Sequence, residues 1–169
     1  MITPTKLPQN TVTILSELLK KEYEAHRMYR YISNCLRNKG YNIAAAYYAA
    51  EAESELKHAE KLQKFASDWN VELSLLPLGE PDIPESEETL DGIVCYTYKM
   101  ENDLLQLYKK RYIEHFEDGD LEVAFFLQEF VNIQCSSVIE ISEQINAMML
   151  FDQTDKNWLY NFEKKVFKN

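Results

Sequence analysis

The segment SELKHAEKL, residues 54–62, sets a carboxylate at Glu55 and an imidazole at His58. On a helix those two lie one turn apart, about 5–6 Å between β-carbons, and form a hard oxygen-and-nitrogen donor pair for a divalent cation. Three further polar residues interrupt apolar stripes in the same way. Glu22 continues the stripe of Leu15, Leu18 and Leu19 and precedes Ala25, while Glu101 falls four after Thr97 and three before Leu104. Gln134 falls three after Val131 and four before Val138. An ionised carboxylate left unpaired in a core is strongly destabilising, and no Lys or Arg shares these stripes nearby. Two divalent cations would supply the missing charge. Three carboxylates, one imidazole and one amide oxygen suit iron better than a metal that prefers sulfur.

Each position also has a plainer reading. A single inward glutamate is equally well a mis-phased stripe or a carboxylate bonded to a core tyrosine, and it is the coincidence on four segments that favours a centre. A lone histidine is more often packed or exposed than metal-bound; His58 differs because Glu55 stands three before it. His26 and His115 have no such neighbour and read as structural. Tyr29, seven after Glu22, reads as core, with a second reading as hydrogen-bond partner of a ligand. Glu51, Glu53 and Glu60 read as a solvated face.

Long helices must position these residues. Apolar residues recur at three-and-four spacing over about 11–37, 41–70, 90–116 and 120–150, and a short amphipathic tail covers about 156–167. Asn38-Lys39-Gly40 and Glu117-Asp118-Gly119-Asp120 are brief stops, so the first and second runs, and the third and fourth, form antiparallel hairpins. Asp120 reads as the N-cap of the fourth run. Residues 71 to 90 hold Pro77, Gly79, Pro81 and Pro84, which breaks any helix. Twenty extended residues reach ~65 Å and a 28-residue helix spans ~42 Å, so this connection is long enough to cross a bundle. The expected fold is all-α: one domain over 1–169, a four-helix bundle with a long crossover between the second and third helices and a short C-terminal fifth helix. Glu22, Glu55, Glu101 and Gln134 fall near mid-height of their helices, ~15–21 Å from an end.

The 169 residues are 46% hydrophobic and carry a net charge of −10, enough apolar material for a core and a poor match for nucleic acid. No secretory h-region or run of about 18 apolar residues is evident, so a cytoplasmic chain without a membrane span is expected. Cys35, Cys95 and Cys135 include no Cys-x-x-Cys pair and read as small buried hydrophobes.

Together, EYEAHRMY, ESELKHAEKL, YKMEN, FLQEFVNIQCSS and the short last helix resemble the non-haem ferritins, over nearly the whole chain. The resemblance implies a homo-oligomeric shell of 24 subunits that takes up Fe(II). It implies oxidation with dioxygen or peroxide at a two-iron ferroxidase centre and storage of hydrous ferric oxide. By position it implies that Glu22, Glu55 and His58 hold the first iron, with Glu55 bridging to the second. Glu101 would hold the second iron, with Gln134 near it and Tyr29 hydrogen-bonded beside the centre. Ser137 stands where many bacterial ferritins have a glutamate; animal heavy chains also lack a carboxylate there. Ser54, Ile133 and Ser136 replace the acids of the bacterial third iron site, which implies its absence. Leu127 stands where animal chains carry a carboxylate of the threefold iron channel. Bacterioferritins and rubrerythrins carry a second Glu-x-x-His in the fourth helix, where this chain has Gln134 and Ser137. Leu56 replaces the haem-ligating methionine of bacterioferritins, so no haem is expected. The alternative is a ferritin-like shell subunit without fast ferroxidase activity.

Overall fold

Pro8 supplies the first punctuation. Its fixed φ, −58°, precedes Gln9–Asn38, helix α1, and its carbonyl accepts the first helical bond from Val12 N at 3.0 Å. The computed structural model describes residues 2–167; of the domain expected over 1–169, residues 1, 168 and 169 lie outside the described residues. Four more helices follow: α2, Asn42–Asp68; α3, Leu90–Glu117; α4, Leu121–Met148; and α5, Trp158–Val166. A 3-10 turn, Glu85–Glu87, precedes α3, and there is no strand among the described residues.

Three helices end in one way. After α1, Gly40 takes a φ of 91°; Tyr41 N reaches back to Leu36 O at 2.9 Å and Gly40 N to Arg37 O at 3.1 Å. After α3, Gly119 (φ 82°) repeats the pattern, with Asp120 N on His115 O at 2.9 Å and Gly119 N on Phe116 O at 3.3 Å. Asn70 (φ 57°) does the same after α2, with Val71 N on Ala66 O at 3.0 Å. A left-handed residue just past a helix lets the next amides turn back and satisfy its last carbonyls, and glycine or asparagine adopts that conformation at least cost. The second run therefore stops at Asp68 rather than near 70. Asp120 holds the cap position of α4, yet its carboxylate makes no cap bond: Oδ2 lies 3.3 Å from His115 Nδ1 instead. The side-chain cap that does form is Thr89 Oγ1, which accepts from Gly92 N at 3.3 Å.

Contacts divide the chain into two compact units, meeting between Asp82 and Ile83. In the first, α1 packs on α2 as an antiparallel hairpin. Buried Leu15, Leu18, Leu19, Ala25, Tyr29, Ile32 and Leu36 form the α1 face. The α2 face is built of Ala45, Tyr48, Ala52, Ala59, Leu62 and Ala66. Phe65 and Trp69 are half-buried, because the buried row steps by four from Leu62 to Ala66. Facing pairs fix the register. His26 Nδ1 donates to Ala52 O and Ser33 Oγ to Ala45 O, both at 2.7 Å, and the rings of Tyr29 and Tyr48 stack with centroids 5.8 Å apart.

In the second unit α3 packs on α4, with Tyr108 stacked on Phe130 at 4.9 Å. Leu90, Ile93, Val94, Leu104 and Leu105 line the buried side of α3. Helix α5 packs on α4, and its Phe162 ring meets Phe151, just past α4, and Phe167 edge-on, each at 5.8 Å. Where the 3-10 turn gives way to α3, Gly92 lies so close to Glu87 that a β-carbon there would stand 2.8 Å from backbone. Cys35, Cys95 and Cys135 are free and half-buried rather than fully buried. Among the described residues, no helix is long and apolar enough to cross a membrane.

Candidate metal centre

Each polar residue singled out on an apolar stripe lies within a turn of its helix midpoint, and four of the five are buried. Glu22 is 0% exposed, Glu55 2%, Glu101 1% and Gln134 0%. Periodicity accounts for this: Leu18, Leu19 and Ala25 beside Glu22, Ala52 and Ala59 beside Glu55, and Thr97, Leu104 and Leu105 beside Glu101 are buried, while Gln134 follows buried Phe130 by four and lies between half-buried Val131 and Val138.

The α1–α2 hairpin brings three of them together. Glu22, Glu55 and His58 each offer a ligand atom, and the three atoms lie within 4.8 Å of one another. His58 Nδ1 stands 3.1 Å from Glu55 Oε2 and 3.5 Å from Glu22 Oε2, with the imidazole 17% exposed. Burial alone would lower the pKa of this imidazole. Its hydrogen bonds to Glu22 and Glu55, which accept them, and the negative charge of both outweigh it and raise the value to about 10. In the metal-free chain the imidazolium thus supplies the positive charge that two buried carboxylates require. A metal cation fits the same donors by exchanging with that proton, since a ligating imidazole must be neutral.

Glu101 and Gln134 belong to the other unit. On α3 and α4 respectively, both lie beyond the Tyr108–Phe130 stack on the side away from the α3–α4 turn. Neither Oε1 nor Nε2 of Gln134 has a hydrogen-bond partner among the described residues. A wholly buried amide in that condition is destabilising, by about 1–3 kcal/mol, and a cation accepted by Oε1 would relieve part of the cost. Tyr29 is buried two turns along α1 from Glu22, against Tyr48.

Several other residues settle as scaffold. His26 ties α1 to the α2 backbone and His115 ties the end of α3 to Asp120. Glu53 and Glu60 are exposed and Glu51 half-buried. Leu127, read against a channel carboxylate, is fully buried. Gln144 escaped the sequence reading: it is buried on α4 with Oε1 unpartnered, and it sits three after Ile141 as Gln134 sits three after Val131, which was the available signal.

A search of curated proteins finds no match. The model of the ferritin-like domain matches residues 12–151, from the first turn of α1 to just past α4. With its four long helices, short fifth helix and buried carboxylate–imidazole cluster, the chain belongs to the ferritin-like domain family.

Proposed function

We propose that this chain is a single ferritin-like domain that stores and detoxifies iron. It binds Fe(II), oxidises it to Fe(III) at a two-iron ferroxidase centre within each subunit, and holds the ferric mineral in a cytoplasmic shell of 24 copies. The observation that carries the reading is the Glu22, Glu55 and His58 cluster, with its donor atoms within 4.8 Å on one hairpin of a ferritin-like chain. In this reading those three residues hold the first Fe(II), and Glu55 also faces the second. Glu101 and Gln134 complete the second position; their burial and the unpartnered Gln134 amide support that assignment. Leu56 carries no donor atom for haem iron, so the reading includes none.

The residues divide the work. Glu22 and Glu55 neutralise the cation, and His58 gives up its proton as the metal enters. Glu101 brings the only anionic group specific to the second position, so that position fills last. Each of two adjacent Fe(II) ions gives one electron to the oxidant, so dioxygen leaves as hydrogen peroxide and peroxide leaves as water. In this reading Tyr29, two turns along α1 from Glu22, serves as a positioning residue beside the centre.

Fe(II) titration with an oxygen electrode, on protein sized by sedimentation, tests the reading. Two Fe(II) per subunit, rapid oxygen uptake and a particle of roughly 480 kDa, from 24 subunits of 19.9 kDa, are expected. Glu101→Ala should keep one Fe(II) per subunit and lose rapid oxidation. Fe(II) binding without oxygen uptake in the parent would favour the passive shell subunit instead, and undiminished oxidation in Glu101→Ala would overturn the assignment of the second position.

A further inference from the structure

Two side chains of α1 hydrogen-bond the backbone of α2. Ser33 Oγ donates to Ala45 O and His26 Nδ1 to Ala52 O, both at 2.7 Å, and the two bonds stand seven residues apart on each helix, about 10 Å. A carbonyl oxygen only accepts, so the proton of the second bond lies on Nδ1 of His26. That bond is the nearer of the two to the metal cluster. Four residues back along α1 is Glu22 and three on along α2 is Glu55, both one turn away on the same side because the helices run antiparallel. In an α-helix Ala52 O also accepts from Leu56 N, so the ring grips the turn that carries Glu55. On the far side of the cluster the facing residues are Leu15, Leu18 and Leu19 against Ala59 and Leu62, all buried. Apolar contact is non-directional and lets helices slide or part slightly, whereas a short hydrogen bond fixes both distance and direction. The like charges of Glu22 and Glu55 act against that constraint, pushing the two helices apart.

We propose that His26 is a positioning residue of the metal cluster: its bond to Ala52 O is a strut that holds Glu22 at binding distance from Glu55 and His58. The strut rests on the reading of those three residues as a metal site, and iron enters only as the cargo that reading names. Without the strut, the remaining bond of this kind, from Ser33 to Ala45, lies eleven residues from Glu22, about 16 Å along α1. Packing alone then opposes the repulsion between the carboxylates. Metal affinity depends on donors already held in place, and loss of an outer hydrogen-bond partner weakens it about 10–100-fold.

Zn(II) titration of the metal-free assembled protein at pH 8, with His58→Gln as the blank for surface sites, tests the strut without any oxidation. His26→Leu fills the space but offers no donor, and it should bind Zn(II) at the cluster at least about tenfold more weakly than the parent. His26→Asn carries Nδ2 two bonds from the β-carbon, as Nδ1 is, and should recover most of that loss; this rescue separates a strut from packing. Bound Co(II) should give the same visible absorption in the parent and His26→Asn and a changed one in His26→Leu. The chain has three histidines, so solid-state NMR of protein labelled with 15N-histidine reads the proton directly. The signal lost in His26→Asn should be that of an Nδ1–H ring. An Nε2–H ring at that signal would overturn the strut, as would parental Zn(II) affinity in His26→Leu or equal losses in the Leu and Asn variants. Absence of Zn(II) at the cluster in the parent would overturn the metal-site reading, and the strut with it. The expected Zn(II) pattern in a protein that does not oxidise Fe(II) would uphold the strut and overturn the ferroxidase reading alone.

Discussion

Raising the pH of the metal-free chain removes the cation that holds Glu22 and Glu55 together. In the folded chain His58 keeps its proton up to about pH 10, whereas the unfolded imidazole titrates near 6.5. Below 6.5 both states are protonated and the stabilisation is fully present; it is lost as the pH rises through the window and is gone above the folded value. A gap of that width corresponds to roughly 5 kcal/mol at most, at about 1.4 kcal/mol for each pH unit. Urea unfolding of metal-stripped protein at several pH values from 7 to 10, on the parent and His58→Gln, isolates the contribution because the difference between the two removes every other titrating group. The stability advantage of the parent should shrink steadily across that range. A difference that stays constant with pH would refute the claim that a buried imidazolium is the counter-charge of the cluster.

Further outcomes follow from the same geometry. Zn(II), a redox-silent probe of the Glu22, Glu55 and His58 donors, should release about one proton per ion bound at pH 8, read by calorimetry in buffers of different ionisation enthalpy. Its affinity should fall about tenfold for each pH unit lost in the His58 window. Gln134→Leu removes a buried amide without partners and should stabilise the metal-free chain by about 1–3 kcal/mol in urea unfolding, while weakening the second Fe(II). Gly92→Ala would set a β-carbon 2.8 Å from the Glu87 backbone, so the 3-10 turn must move, at a cost of about 1–3 kcal/mol and with loss of amide protection over 85–93.

The inward position of Glu22, Glu55, Glu101 and Gln134 could be counted off the sequence because unbroken helices carry a periodic row for several turns, and one polar residue inside such a row has nowhere else to point. Helix ends were less accessible. Asp120 has the right residue type for a cap, but its choice of His115 over the α4 amides depends on how the chain turns at Gly119, which no local pattern encodes. The cysteines misled for a related reason: a small apolar residue beside a stripe is tolerated at its margin, and Cys35, Cys95 and Cys135 lie there. Spacing alone would admit Phe65, three after Leu62, to the buried row as readily as Ala66, four after it, and packing against α1 selects Ala66. The charge state of His58 was out of reach altogether, since it depends on two carboxylates from different helices meeting one ring.

The alanines of α2 set the bore of the metal cluster. Ala45, Ala52, Ala59 and Ala66 are wholly buried, and at Ala45 the α2 backbone comes within reach of a serine hydroxyl, one bond beyond the β-carbon of Ser33. On the α2 side of the seam these positions contribute only a methyl group, so the gap between Glu22 and the Glu55–His58 pair is set in part by residues that carry no chemistry. Ion size is therefore tuned at a distance. Replacing Ala52 or Ala59, each one turn from a donor, with Ser or Val would widen the spacing by fractions of an ångström, keep every ligand, and shift preference toward larger cations. A lineage exploring new metals would find its adjustable screw in the methyl groups, with the glutamates left as they are.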